Sequence, residues 1–503
     1  MTEDFLLALF GADGDASGMS KSTRLERALR AVDEFRQDVA KTEPDKLDLR
    51  ELEREAQRRL HAVGKELIAE VLARADTKAP VITVAGEQWG NRRESPATYT
   101  SLFGNVEVVR ATYQRGGGGR VVVPLELRLG LVEKRYTPQV ARVLTRAIAL
   151  MTAEEAEGLL AETGVASVSQ STLHRVPHAV AARYEQRRQE INDELRESDE
   201  VPDAAVTVQV SLDGVMVPQD GELAKPRGRK TTAPRAPRHE QRYGAVRTSN
   251  PSQEDGVSGR AWHEACVGTV SYWDADGEHL KTIYVGRMPE SGKGTVSDEL
   301  EDELHAALGE RPDLHVCFAA DGNPTQWELL EGIGVRLPGA TEPSHLLDFY
   351  HCAGYLESAA NAVHESDGPA ARVLGRHWGE VLREKDDGAD SVLKAMRYHR
   401  DALPTGTRNK AVAKSVNFLA NQARRGRLAY AEARRNHRPI GSGVVEAAAK
   451  TVVNVRMKRA GARFSQHGGQ AVMLFRTAIL SGRFDRLSSC LENSYSRDVR
   501  EAA

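Results

Sequence analysis

Val206-Thr-Val-Gln-Val-Ser-Leu-Asp213-Gly-Val-Met-Val217 alternates cleanly between apolar and polar residues, and its reading decides the fold of the chain around it. Val206, Val208, Val210 and Leu212 share one face, while Thr207, Gln209, Ser211 and Asp213 share the other. Successive side chains on a strand point to opposite sides, so this is a strand with one apolar face and an acid on its polar face. By itself Asp213-Gly214 is equally a strand running into a turn.

Downstream, a basic, Pro-rich segment after Pro218 interrupts the pattern as a long loop. Two strands follow, at 265–273 and 282–286, joined by a hairpin turn at Asp274-Ala-Asp-Gly277. A helix is expected over 295–309. Next comes Leu314-His-Val-Cys-Phe-Ala-Ala-Asp321-Gly322, an apolar buried strand that again ends in an acid. Asp321-Gly-Asn-Pro324 also has the form of an Asx turn capping the next helix. A helix at about 324–332 and a short strand near Val335 complete the set. Residues 346–435 read as wholly helical, with breaks at Gly368 and at Pro404-Thr-Gly-Thr407. Gly441-Ser442-Gly443 then forms a tight turn, with Ser442 in the N-cap position of a closing helix.

The order is strand-strand-strand-helix-strand-helix-strand, a helical block and a closing helix. That is the order an RNase H-like mixed sheet requires, here interrupted by an all-helical insertion. In such a sheet the first and fourth strands are neighbours. Asp213 and Asp321 would then converge at one end, with Glu446 of the closing helix across it. Three carboxylates brought together repel unless a divalent cation neutralises them, and oxygen-only ligands favour Mg²⁺ or Mn²⁺ over zinc. A pair of such ions can activate a water or a 3′-hydroxyl and stabilise the leaving oxygen of a phosphodiester. Glu446 has a plainer reading too. Glu446, Lys450, Asn454 and Lys458 follow at four-residue steps on one polar stripe, and a first-turn acid is favoured by the helix dipole and by pairing with Lys450.

Composition bounds the class. The 503-residue chain is too long for one core, and 40% hydrophobic with 28% charged residues describes a soluble globular protein. No apolar run is long enough to cross a bilayer, and Met1-Thr-Glu-Asp-Phe5 lacks the basic start of a signal peptide. Cys266, Cys317, Cys352 and Cys490 are scattered, with no Cys-x-x-Cys pair, so a reducing cytoplasm is the expected setting. The net charge of −3 conceals a strong asymmetry. Acids crowd 20–70 and 296–310, while 225–239 and 408–463 are strongly basic, as for a polyanion partner.

Towards the N-terminus, 21–75 reads as two long helices with a narrow apolar seam, suited to packing or self-association. Alternation over 81–84 and 99–113 marks a small β module, closed by the glycines at 116–119. A short helix at 153–161 breaks at Thr163-Gly164, and a second begins near Ser169-Gln-Ser-Thr-Leu-His-Arg175. This is the pattern of a helix-turn-helix that would present Ser169, Gln170, Thr172 and Arg175 to DNA, although many helical hairpins share it.

Four motifs carry a family resemblance: Val210-Ser-Leu-Asp213-Gly-Val, Ala319-Ala-Asp321-Gly, His345-Leu-Leu-Asp348-Phe-Tyr-His351 and Ile440-Gly-Ser-Gly-Val-Val-Glu446. With the tail Gly461-Ala-Arg-Phe-Ser-Gln-His-Gly-Gly469, the chain from about Tyr99 to Arg483 resembles bacterial DDE transposases of the Kra-type insertion-sequence family, and more distantly the Mutator-like group. The resemblance implies Asp213, Asp321 and Glu446 as catalytic metal ligands for two Mg²⁺ or Mn²⁺ ions, with Asp348 and His351 in support. Family members often carry Trp where this chain has Phe464, which can still stack on a base or pack in a core.

The expected class is therefore a multidomain α+β protein. Its divisions are an N-terminal helical region (1–78), a β module (79–136), a helix-turn-helix region (137–200), the first part of an RNase H-like domain (201–345), an all-helical insertion (346–438), the closing helix region (439–485) and a tail (486–503). Its expected function is binding the terminal inverted repeats of its own element, then DNA cleavage and strand transfer. DNA contacts would come from the helix-turn-helix, from Arg227, Arg229, Lys230 and Arg235 of the basic loop, and from Lys450, Asn454, Arg456, Lys458, Arg459 and Phe464. The expected partners are DNA and further copies of the chain, with no membrane, in a cytoplasmic, nucleoid-associated setting. A nuclease of the same fold without strand transfer, or a non-catalytic DNA-binding regulator, are the alternatives.

Overall fold

A computed structural model describes residues 23–115, 119–165, 168–220, 260–337, 342–365, 367–497 and 499–501. The basic loop carrying Arg227, Arg229, Lys230 and Arg235 lies outside the described residues. The protein is mixed α+β and divides into two compact units. One comprises 1–140, 164–167 and 497–503; the other comprises 141–163 and 168–496. The two helices of the expected helix-turn-helix fall in the second unit, while Gly164 of the turn between them falls in the first. Among the described residues, no helix is long and apolar enough to cross a membrane.

In the first unit, Thr23 opens helix α1 (Arg24–Lys41) with a reciprocal capping box to Glu26, and Asp48 caps α2 (Leu49–Ala75). Strands β1 (Ile82–Val84), β2 (Glu87–Ser101), β3 (Gly104–Gln114) and β4 (Val121–Val122) form an antiparallel sheet. Its fifth strand, Val499–Glu501, comes from the segment read as a tail and pairs with β1. Three residues are too few to announce a strand in sequence.

The second unit begins within α3 (Pro138–Leu150) and continues with α4 (Ala153–Glu162), α5 (Gln170–Gln186) and α6 (Arg188–Glu197). Its sheet contains β5 (Thr207–Asp220), β6 (Arg260–Trp273), β7 (His279–Arg287), β8 (His315–Ala320) and β9 (Ser344–Leu347), with α7 (Gly294–Glu310) and α8 (Pro324–Val335) between strands. The order across the sheet is β7-β6-β5-β8-β9. β6 is antiparallel to β5 and β7 to β6, while β8 is parallel to β5 and β9 to β8.

The strand expected near Val335 is corrected. That residue ends α8, and the last strand is Ser344–Leu347. Trp327, Leu330 and Ile333 recur at three-residue steps against the core, so helical packing overrides the local β propensity.

The sheet is covered on both faces. Val208, Val210 and Leu212 pack with Leu300 and Leu304 of α7 and Trp327 of α8. On the opposite face, Val215, Val217, Ala265 and Val267 pack with Ala448, Val452 and Val453 of the closing helix, and with Val472 and Met473 of α14 (Gln466–Leu480). The closing helix runs Gly443–Ala448, widens to a π segment at Ala449–Asn454 and ends at Val455–Met457. Between β9 and that helix lie α9 (Phe349–His364), α10 (Pro369–Glu384), α11 (Gly388–Ala402), α12 (Thr407–Arg424) and α13 (Tyr430–Arg435). They pack around a core that includes Leu356, Trp378, Met396 and Leu419 and continues onto Cys317 of β8 and Leu346 and Leu347 of β9.

Candidate active site

β5 and β8 pair in parallel with Ser211 opposite Ala319. Asp213 and Asp321 each follow that pair by two residues. Asp213, within β5, and Asp321, just past the end of β8, therefore stand at the same level beyond the last paired residues. Asp213 Oδ1 accepts from the Gly214 N–H at 2.7 Å, and Asp321 Oδ1 accepts from the Asn323 N–H at 2.7 Å. The Asp321 carbonyl accepts from the Trp327 indole at 2.6 Å, which ties the acid's backbone to α8.

Gln326, only 1% exposed, joins the two acids. The orientation that satisfies its amide has Oε1 accepting from the Gly214 N–H at 3.1 Å. Nε2 then donates to the Leu212 carbonyl at 3.2 Å and to Asp321 Oδ1 at 2.7 Å. Burial pushes the Asp213 carboxyl up to about 6; the Gly214 N–H opposes the shift, and the Asp321 charge adds to it.

Asp348 organises the third side of the site. Its Oδ1 caps α9 through the His351 N–H at 2.6 Å. Its Oδ2 accepts from the backbone N–H and the hydroxyl of Ser442, at 2.5 and 2.7 Å. Ser442 was expected to cap the closing helix, but its hydroxyl is held by Asp348 and makes no cap bond there. Gln209, on the polar face of β5, donates to the Gly441 carbonyl at 3.1 Å. A Cβ on Gly441 would stand 3.3 Å from the Tyr350 ring, so glycine lets the turn lie against α9. Together these contacts fix where the closing helix starts and bring Glu446 to the cleft.

Asp213, Asp321, Asp348, Tyr350, His351 and Glu446 line one open cavity of about 360 Å³. Glu446 is exposed and its carboxylate is turned to Lys450 Nζ at 2.7 Å, the plainer pairing expected from its spacing. As the side chains are placed, no three His, Cys, Asp or Glu among the described residues stand close enough to hold a metal ion. His351 is exposed and packs edge-on to Tyr355, which stacks on Phe418 at 3.9 Å. A Cβ on Gly322 would meet the Phe418 ring at 2.4 Å, so the insertion is seated directly against the loop of Asp321.

The expected DNA-contact residues fare unevenly. Ser169 is the N-cap of α5, and Gln170 donates to Glu157 at 2.9 Å. Arg175 is exposed, whereas Thr172 is turned into the packing. Lys458 is exposed, Lys450 is paired with Glu446, and Asn454 is half-buried. Arg459 pairs with Glu155 at 2.8 Å, and Phe464 packs partly against the core beneath the closing helix.

Arg456 is corrected. It is 4% exposed and donates to the Ile148 carbonyl at 3.1 Å, capping the end of α3 instead of facing a phosphate. Much of the basic block is likewise spent internally. Arg408, Arg434 and Arg435 pair with Glu365, Glu384 and Asp386 inside the insertion.

Gln326 and the clamp from Asp348 to Ser442 were not singled out from sequence. Gln326 did leave a signal: a polar residue on the buried stripe of Trp327, Leu330 and Ile333. The clamp left none, because its partners are 94 residues apart.

No protein-family model matches the chain, and no curated protein matches it. Among solved structures it is similar to the Drosophila P element transposase strand transfer complex, at 14% sequence identity and a TM-score of 0.23, over 71% of this chain and 81% of that chain. A likeness this loose gives no residue-by-residue correspondence.

Proposed function

We propose that the chain is a DDE-type transposase, akin to the Kra-type insertion-sequence enzymes, that binds the ends of its element and cleaves and joins DNA. The observation that carries this reading is the meeting of Asp213, Asp321 and Glu446 in one cleft, from two parallel strands and a helix distant in sequence. The strand order β7-β6-β5-β8-β9 supports an RNase H-like sheet, and the five helices between β9 and the closing helix support an inserted domain.

The donor set fits Mg²⁺ or Mn²⁺. It is all oxygen, it concentrates negative charge, and Glu446 is held away only by an exposed ion pair. Asp213, Asp321 and Glu446 would hold two ions, which when bound supply an activated water or 3′-hydroxyl and stabilise the leaving oxygen. Gln326 sets the spacing of the strand acids, and Asp348 sets the height of the helix acid. His351, exposed at the rim, is placed to hydrogen-bond a phosphate. Lys458 and Arg175 are exposed cations for the DNA backbone. Leu29, Leu49 and Leu60, exposed on α1 and α2, support self-association, which pairing two ends requires.

The test is cleavage of DNA carrying the sequences that flank the gene, with Mg²⁺ present. Glu446→Gln and Asp213→Asn should abolish cutting while leaving binding largely intact. Full cleavage by either purified variant would end the assignment. Joining of a pre-cut end to target DNA separates a transposase from a nuclease of the same fold.

A further inference from the structure

A cavity of about 650 Å³ in the second unit lies away from the acidic cleft and is used by none of the steps above. That volume is within the roughly 300–1,000 Å³ range of small-molecule sites. One wall is the start of α5, with Gln170, His174 and His178; the facing wall is the segment after the closing helix, with Arg459, Arg463 and Ser465. Ile148, Leu173 and Val472 contribute an apolar floor.

The lining divides by chemistry. Burial holds both imidazoles below the usual histidine range, so at pH 7 they are neutral and offer flat faces with one donor and one acceptor each. Their ring centroids are 6.3 Å apart. A Cβ on Gly468 would stand 3.2 Å from His178 Nε2, so glycine keeps this ring seated. Arg463 is exposed, with no ion pair among the described residues, and is free to meet an anion. Of the two acids on the wall, Glu155 is occupied by Arg459 and by the Thr152 N–H. Glu154 remains, and its charge disfavours a polyphosphate.

We infer that this cavity takes a single nucleotide unit, its base between the histidines and the apolar floor and its one phosphate at Arg463. The unit could arrive as a free mononucleotide or splayed out of a DNA strand. Assigning it to a strand rests on the transposase reading; binding itself does not. The closing helix connects the two sites, with Glu446 on the cleft and Arg456 on the cavity ten residues later. Ten helical residues span roughly 15 Å. At about 3.4 Å per step along a strand, a nucleotide roughly four or five positions from the cleaved bond would enter the cavity.

Two measurements on the full chain test this, each with wild type, Arg463→Ala and His178→Ala. One is calorimetric titration with deoxyadenosine 5′-monophosphate. The other is fluorescence of a forked DNA carrying 2-aminopurine on its single-stranded arm. Mononucleotide affinity that falls at least tenfold in both variants assigns a free nucleotide. A fluorescence rise on binding that is lost in both variants, without mononucleotide binding, assigns a strand-borne one. No response of wild type to either probe, or equal responses by all three proteins, overturns the inference. Because Arg463 is exposed, its variant separates lost binding from lost folding. Asp213→Asn should respond like wild type; if it also cleaves like wild type, the transposase reading fails while the cavity assignment stands.

Discussion

The strand acids and the helix acid are held in opposite ways. Asp213 and Asp321 are half-buried and fixed by backbone N–H groups, by sheet register and by the shared Gln326. Glu446 is exposed, and only an i,i+4 ion pair with Lys450 directs its carboxylate. Such a pair is worth about 0.3–0.5 kcal/mol, so an arriving cation can displace it. Two-thirds of the cleft is therefore built in advance, and the last carboxylate is adjustable.

The sharpest break of this contrast is Asp213→Asn against Glu446→Gln. Both should lower Mg²⁺-dependent cleavage by about 10³-fold or more, because each removes a carboxylate from the metal set. A mild Glu446→Gln phenotype, measured by single-turnover cleavage, would mean that the adjustable acid is dispensable. Next in size is Gln326→Ala, which should reduce cleavage about 10–100-fold, as loss of residues that orient ligands does. It should also raise the Mg²⁺ concentration for half-maximal rate, which a general loss of packing would not do.

Asp213 should then separate stability from activity. Its folded carboxyl lies near 6 against an ordinary 3.8, so the folded state holds the proton more tightly than the unfolded chain. The stability this contributes is full below about pH 3.8 and is lost as pH rises through about 6. Asp213→Asn stays neutral, so without metal it should melt higher than wild type at pH 7–8, by an amount on the order of 1–3 kcal/mol. The gain should vanish near pH 4 and shrink when Mg²⁺ is added; thermal melts across pH would show it. The smallest effect is expected from Lys450→Ala. Releasing Glu446 should change stability by no more than about 0.5 kcal/mol in denaturant melts. A large loss would show that the pair is structural after all.

Legibility in the sequence follows the same division. Alternation along 206–217 and the apolar run ending at Asp321 are local; Asp213 lies on the polar face of its strand and Asp321 at the end of its own, and reading them needs no tertiary knowledge. What closes the site is not local. The clamp from Asp348 to Ser442 and the glycine at 322 accommodating Phe418 depend on packing between distant segments, whereas the pairing of Glu446 with Lys450 is local and legible from its four-residue spacing. Arg456 is a different lesson, since its signal was present. It follows Val445, Ala449 and Val452 at 11, 7 and 4 residues, on the stripe that is buried. Its charge pointed to DNA, while its spacing pointed inward.

Asp348 has a consequence for how this chain can change over generations. The Phe349 N–H donates to the Ile440 carbonyl at 3.1 Å, next to the clamp on Ser442. The helical block therefore departs and returns through one doorway, fastened at both jambs. With the ends pinned together, extra length between them adds only about 0.6 kcal/mol of closure entropy per doubling. The block is thus an exchangeable cassette that can grow, shrink or acquire new surfaces while the sheet of β5 to β9 keeps its shape.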